Sequence, residues 1–191
     1  MQIITIPHPT LRQTATAIEK VDTQLTSFIK NLEKTLEQAR NPKGIALAAP
    51  QVDQLWRMFA TQHDNTMRTL INPRITDESD ERSFGPDENK PYLEGCLSMP
   101  GIYGPVPRAY AIKVRYEIVA NDELVTKTED FSDFDARVIQ HEIDHLNGIL
   151  FTDYSLQYDL PIYQDYPDEK ELVNADREMI AHLTAFEESV Q

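Results

Sequence analysis

With 191 residues, 40% apolar and 8% aromatic content, the chain can bury one well-packed core and is too short for two comfortable domains. A formal charge of −14 argues against nucleic-acid binding as its main business, because neutralising phosphates needs clustered Lys and Arg. One cysteine, Cys96, excludes an intrachain disulfide and fits a reducing compartment. No run approaches the roughly 18 apolar residues of a membrane span. The start, from Met1 to Pro7, lacks the basic and apolar regions of a secretory signal. The expectation is one domain over 1–191 in the cytoplasm, with no membrane or direct nucleic-acid partner.

In chain order, Leu25, Phe28, Ile29, Leu32, Leu36 and Ala39 recur at spacings of three and four, which predicts an amphipathic helix over 22–40. Asp22 or Thr23 is its N-cap and Asn41-Pro42 its stop. Residues 55–72 read as two short strands around a polar turn at His63-Asp64-Asn65. Residues 76–90, with Asp77, Glu78, Asp80, Glu81, Asp87 and Glu88 around Gly85-Pro86, read as a solvated surface loop. Over 109–119, Ile112, Val114, Tyr116 and Ile118 alternate as one face of a half-buried strand. Asn121-Asp122 is a turn, and 123–131 a returning strand. A helix over 134–146 is entered through Asp133 or Asp135. An acidic extension, 152–191, begins irregularly around Pro161 and Pro167. It ends in a helix whose apolar stripe is Leu172, Val173, Met179, Ile180, Leu183 and Phe186. The fold class is α+β: short mixed or antiparallel strands around a central helix, flanked by N- and C-terminal helices.

That central helix carries His141-Glu142-Ile143-Asp144-His145. Positions i and i+4 share a helix face, so both imidazoles reach one metal ion while Glu142 stands close enough to act as general base. A catalytic site of this kind wants a third protein ligand and an open position. The extended HExxH pattern with a third histidine fails, because Gly148 is present but Phe151 stands in the histidine's place. Glu169 and Glu171 fall in a plausible downstream interval, behind a Pro-rich lead-in that offers no helix of the right length. Cys96, within Glu94-Gly95-Cys96-Leu97-Ser98, is the remaining candidate, and a thiolate suits Zn and Fe alike. A general HExxH endopeptidase, with a ligand other than Cys96, is the alternative.

Three stretches in order, Gly44-Ile45-Ala46-Leu47-Ala48-Ala49-Pro50-Gln51, Glu94 to Ser98 and Gln140 to His145, resemble the GxGLAAxQ, EGCLS and QHExDH motifs of the peptide deformylases. The likeness extends to Pro9, Leu11 and Arg12, to Pro107-Arg108 and to Ala136-Arg137, covering about residues 1–153. It implies an enzyme that removes the formyl group of N-terminal formyl-methionine from nascent polypeptides as formate. It also implies one divalent ion per chain, typically Fe(II) with Zn, Ni or Co able to replace it, held by Cys96, His141 and His145. By the same resemblance, Glu142 moves the proton, and the Gln51 amide and the Leu97 backbone N–H receive the oxyanion. Gly44, Ile45, Ala46, Gly95, Phe134 and Val138 line the substrate site, with Ile45, Phe134 and Val138 around the methionine side chain. Glu94 and Arg108 belong to the scaffold.

Two departures stand out. Ala46 replaces the second glycine of the first motif, so that position either needs φ > 0, which disfavours alanine, or narrows the peptide groove by one methyl. Members that dock on the ribosome can use a basic C-terminal helix, whereas 152–191 here holds ten Asp or Glu against Lys170 and Arg177. That charge does not support a ribosome contact.

Overall fold

The helix expected from the leucine spacing forms as α1, Thr23–Gln38, with the Asp22 carboxylate accepting from the Leu25 N–H at 2.9 Å. The computed structural model describes residues 1–40, 43–63, 66–87, 90–166 and 168–185. The expected stop at Asn41-Pro42, turn residues Asp64 and Asn65, and Glu88, Pro167 and Phe186 lie outside the described residues. Leu25, Leu32 and Leu36 are buried on one face of α1. Each contributes ~1.5–3 kcal/mol relative to exposure. They pack on β1 (Ala46–Ala48), β2 (Met58–His63) and β3 (Thr66–Glu78) through Leu47, Met58, Ala60 and Ile71.

The chain then runs through β4 (Arg82–Ser83), β5 (Leu93–Cys96), β6 (Met99–Pro105) and β7 (Arg108–Ala109) to the hairpin β8 (Ala111–Ala120) and β9 (Glu123–Ser132). Asn121 and Asp122 turn that hairpin with φ of 52° and 61°, the left-handed pair a two-residue hairpin turn demands. Strands β1-β2-β3-β8-β9 form one antiparallel sheet. Across it lies α2, Asp133–Leu146, burying Ala136, Ile139, Ile143 and Leu146 against Phe59, Leu70, Ile112 and Val114. Residues 136, 139, 143 and 146 share one helix face, which leaves His141, Glu142 and His145 to the remaining faces.

After α2 come α3 (Phe151–Gln157), β10 (Tyr163–Gln164), β11 (Val173–Asn174) and α4 (Arg177–Thr184). Strands β10 and β11 extend a second antiparallel sheet in the order β11-β10-β6-β5, while β4 pairs with β7. Architecture is therefore α+β, with α2 packed on the five-stranded sheet.

Three local expectations differ from the structure. Within 76–90, read as loop, residues 76–78 continue β3 because Asp77 and Glu78 pair with Lys113 and Ile112 of β8, and 82–83 form β4 by pairing with β7; their polar side chains hide the ladders from a periodicity test. Val173 lies in β11, so the C-terminal helix is shorter than the apolar stripe suggests. The irregular start of the extension contains α3, whose seven residues are too few to display a full amphipathic repeat.

Candidate metal centre and substrate cleft

Strand alternation buries Glu94 and Cys96 of β5 while their neighbours Leu93 and Gly95 stay open. Cys96 thereby points at α2, and its Sγ lies 3.1 Å from His145 Nε2. Ligand atoms of Cys96, His141 and His145 all fall within 4.8 Å of one another. A soft thiolate and two imidazoles converging at this spacing fit a divalent ion such as Zn or Fe(II). Burial opposes charge on Cys96, yet His145 and His141 outweigh it and hold the thiol well below its ordinary pKa, in the form a metal needs.

Gln51 is placed by a short 3-10 turn, Ala49–Val52, that follows β1 directly. The Ala48 N–H donates to Gln51 Oε1 at 2.8 Å, which turns the amide NH2 toward Cys96 Sγ at 3.3 Å and Ser98 Oγ at 3.2 Å. Leu97 follows Cys96 in the bend before β6, with its side chain packed into the α1 cluster. Glu142 is buried with Oε2 lacking a hydrogen-bond partner among the described residues. Burial pushes its carboxyl up to about 7, against the opposing pull of His141 and His145. His145 Nδ1 is likewise buried without a partner among the described residues.

Behind His141 stands a buried charge cluster. Glu94 Oε2 meets His141 Nδ1 at 2.9 Å and also accepts from Arg108 at 2.8 Å. Its Oε1 accepts from Arg108 Nε and from Arg137, each at 2.9 Å. Arg108 also pairs with Asp144, and the Tyr154 hydroxyl donates to Asp144 at 3.1 Å. Burial works against charge on Glu94, but Arg108 and His141 hold it well below the usual carboxylate range. Burial lowers the His141 pKa, yet bonds to Cys96 and Glu94 raise it well above the ordinary value.

One cavity of about 280 Å³ opens beside these groups. Gln51, Cys96, Leu97, His141 and Glu142 line it, and so do all six substrate-site candidates, Gly44, Ile45, Ala46, Gly95, Phe134 and Val138. His145 sits deeper, 1% exposed. Ala46 lies in β1 and is not among the positive-φ residues, which removes the first reading of that substitution and leaves the methyl facing the groove.

A model of the polypeptide deformylase family matches residues 1–159. The chain belongs to the polypeptide deformylase family. Peptide deformylase of Pseudothermotoga lettingae is 39% identical over 145 residues, 76% of this chain and 77% of that protein. For the Treponema pallidum deformylase the identity is 37%, covering 80% of this chain and 86% of the relative. Among solved structures, the Synechococcus elongatus deformylase in complex with actinonin superposes with a TM-score of 0.70 at 32% identity, covering 81% and 78% of the two chains.

Sequence reasoning placed the deformylase-like ligands, the amide and the carboxylate around one cavity, but missed several groups. Glu94, read as scaffold around the site, bonds His141 directly. Asp144 and Arg137 anchor the same cluster from α2, and Tyr92 lines the cavity with its ring 5.9 Å from Phe134. Asp144 stands in the QHExDH stretch and Arg137 in the matched Ala136-Arg137, but their buried partners are not legible there; Tyr92 carries no signal in the sequence.

Proposed function

We propose that this chain removes the N-formyl group from formyl-methionine at the start of nascent polypeptides, releasing formate, and that Cys96, His141 and His145 hold the ion for that reaction. The observation carrying this reading is the convergence of the three ligands, the Gln51 amide and the Glu142 carboxylate on one cavity, in a chain of the deformylase family. A divalent cation bound there supplies Lewis acidity and lowers the pKa of water. Fe(II) is the ion we assign, with Zn, Ni and Co as substitutes.

Water adds to the formyl carbon, Glu142 takes its proton, and the Gln51 Nε2–H and the Leu97 backbone N–H donate to the developing oxyanion. Cleavage of the C–N bond then passes the proton from Glu142 to the leaving amine, freeing formate and the peptide's new N-terminus. Gln51 suits the task because its carbonyl end is already fixed by Ala48, so its donors are oriented before substrate arrives. Glu94 acts as a positioning residue through His141.

Ile45, Phe134 and Val138 receive the methionine side chain. The residues that follow lie extended beside Gly44, Ala46 and Gly95, between β1 and β5, each the edge strand of its sheet. The Ala46 methyl narrows that groove. We assign the whole chain to one domain acting in the cytoplasm or a bacterially derived organelle. No helix among the described residues is long and apolar enough to cross a membrane. The acidic residues of 152–191 disfavour a contact with ribosomal RNA.

Formate release from formyl-Met-Ala-Ser tests the assignment, using protein metallated anaerobically with Fe(II). Release is expected from the native chain and not from Glu142→Ala. Fully metallated native protein that releases none would overturn it.

A further inference from the structure

The family match ends at residue 159, yet the chain does not leave the catalytic body there. Tyr163 and Gln164 pair with Tyr103 and Ile102 of β6, and the Asp165 N–H donates to the Gly101 carbonyl at 2.8 Å. Ile162, Ala175 and Ile180 are buried in the same cluster as Met99, Ile102 and Cys96. At the far end, the Thr184 carbonyl accepts from Arg12 Nε at 2.7 Å. Without β10, β6 would be an open edge one strand from the Cys96 ligand.

Gly101, Ile102 and Tyr103 all line the cavity. Tyr103 also presses on Gly95, where an added methyl would meet its ring atoms at 2.8 Å. Any shift of β6 at Tyr103 is therefore passed to Gly95 and the groove beside β5. Close packing transmits such shifts rather than absorbing them.

We propose that residues 160–166, with β11 and α4 packed behind them, are a positioning segment of the cleft: by pairing with β6 they hold Ile102 and Tyr103 against Gly95 and set how tightly the residues after formyl-methionine are held. This rests on the deformylase reading and assigns a substrate-binding role to a stretch outside the family match. The segment reaches substrate only through β6, so its removal weakens binding of longer peptides more than the chemical step.

The test uses full-length protein and substitutions away from the cavity lining. Asp165→Pro removes the N–H that reaches Gly101; Ile162→Ala loosens the buried contact behind β6, and Ile162→Val restores most of it. In the first two variants KM for formyl-Met-Ala-Ser should rise about fivefold, with kcat and the KM for formyl-Met amide within about twofold of native. Ile162→Val should return both to native values. Amide exchange over residues 101–104 should accelerate in the same two variants, a readout that needs no turnover.

Unchanged exchange at 101–104 overturns the inference whatever the activity. Equal losses of kcat on both substrates, with metal content falling, overturn it as well, because the segment would then be general scaffold. If Asp165→Pro does not fold, the Ile162 pair carries the comparison. Native protein that releases no formate defeats the deformylase reading instead; exchange at 101–104 and calorimetric affinity for unformylated Met-Ala-Ser then decide the role of the segment.

Discussion

Against the five-stranded sheet, α1 and α2 bury leucines, isoleucines and Phe59 in two apolar clusters. Behind His141, by contrast, Glu94, Arg108, Arg137 and Asp144 are buried in one bonded group. The first region draws stability from apolar area removed from water. The second spends stability on desolvating charge, and a well-packed apolar replacement of such a group is often neutral or better for folding. What the charges supply is direction: Glu94 is tied down by two guanidiniums and in turn sets the ring of His141. Stability and the orientation of His141 thus rest on different sets of buried side chains, with α2 contributing to both.

The sharpest separation is chemical. Glu142→Ala should lower kcat by about 10²–10⁴ with metal content unchanged, read by formate release and elemental analysis. Next, Glu94→Ala leaves Arg108 with Asp144 alone and Arg137 with backbone acceptors only, which should cost ~3–5 kcal/mol in urea unfolding and weaken metal affinity about 10–100-fold in chelator competition. If both quantities stayed at native values, the division between the two regions would fail.

Acid should expose the same residue. Folding depresses the Glu94 pKa, so its stabilisation is complete above its unfolded value of about 4.3 and is lost as pH falls toward the lower folded value. Stability of Glu94→Gln, followed by chemical denaturation, should therefore fall less steeply than that of the native protein below about pH 4. In the apolar clusters, Leu32→Ala should cost ~2–5 kcal/mol while leaving kcat/KM unaltered in the folded fraction. Smallest is Asp22→Ala, which removes the α1 cap for ~1 kcal/mol and should move the thermal midpoint alone.

Legibility in the sequence followed the same boundary. Helix α1 and the β8–β9 hairpin were readable because one face of each is apolar at the element's own period, and because Asp22 and Asn121-Asp122 punctuate them. The far end of β3, with Asp77 and Glu78, was not, since a strand whose outer residues are all polar has no alternation to detect. Helix α3 and β11 were missed because they exist through contacts with the body of the fold, not through local pattern. In the site, His141, Glu142 and His145 were legible from helix geometry alone. Cys96 stood out as the lone thiol left as third-ligand candidate, Gln51 and the cleft residues followed from motif resemblance, and Tyr92 from neither; Arg137 and Asp144 lay in matched stretches whose buried partners no motif names.

By itself, the order of residues determined the fold class, the ligand types and the spacing of two imidazoles, because these depend on local periodicity and side-chain chemistry. Only the tertiary structure decided that Cys96 approaches His145, that Glu94 bonds His141, that Ala46 sits in ordinary strand backbone, and that β10 closes the edge of β6. Those are distances between segments far apart in the chain, and such distances are set by packing and strand pairing, which no local window of residues contains.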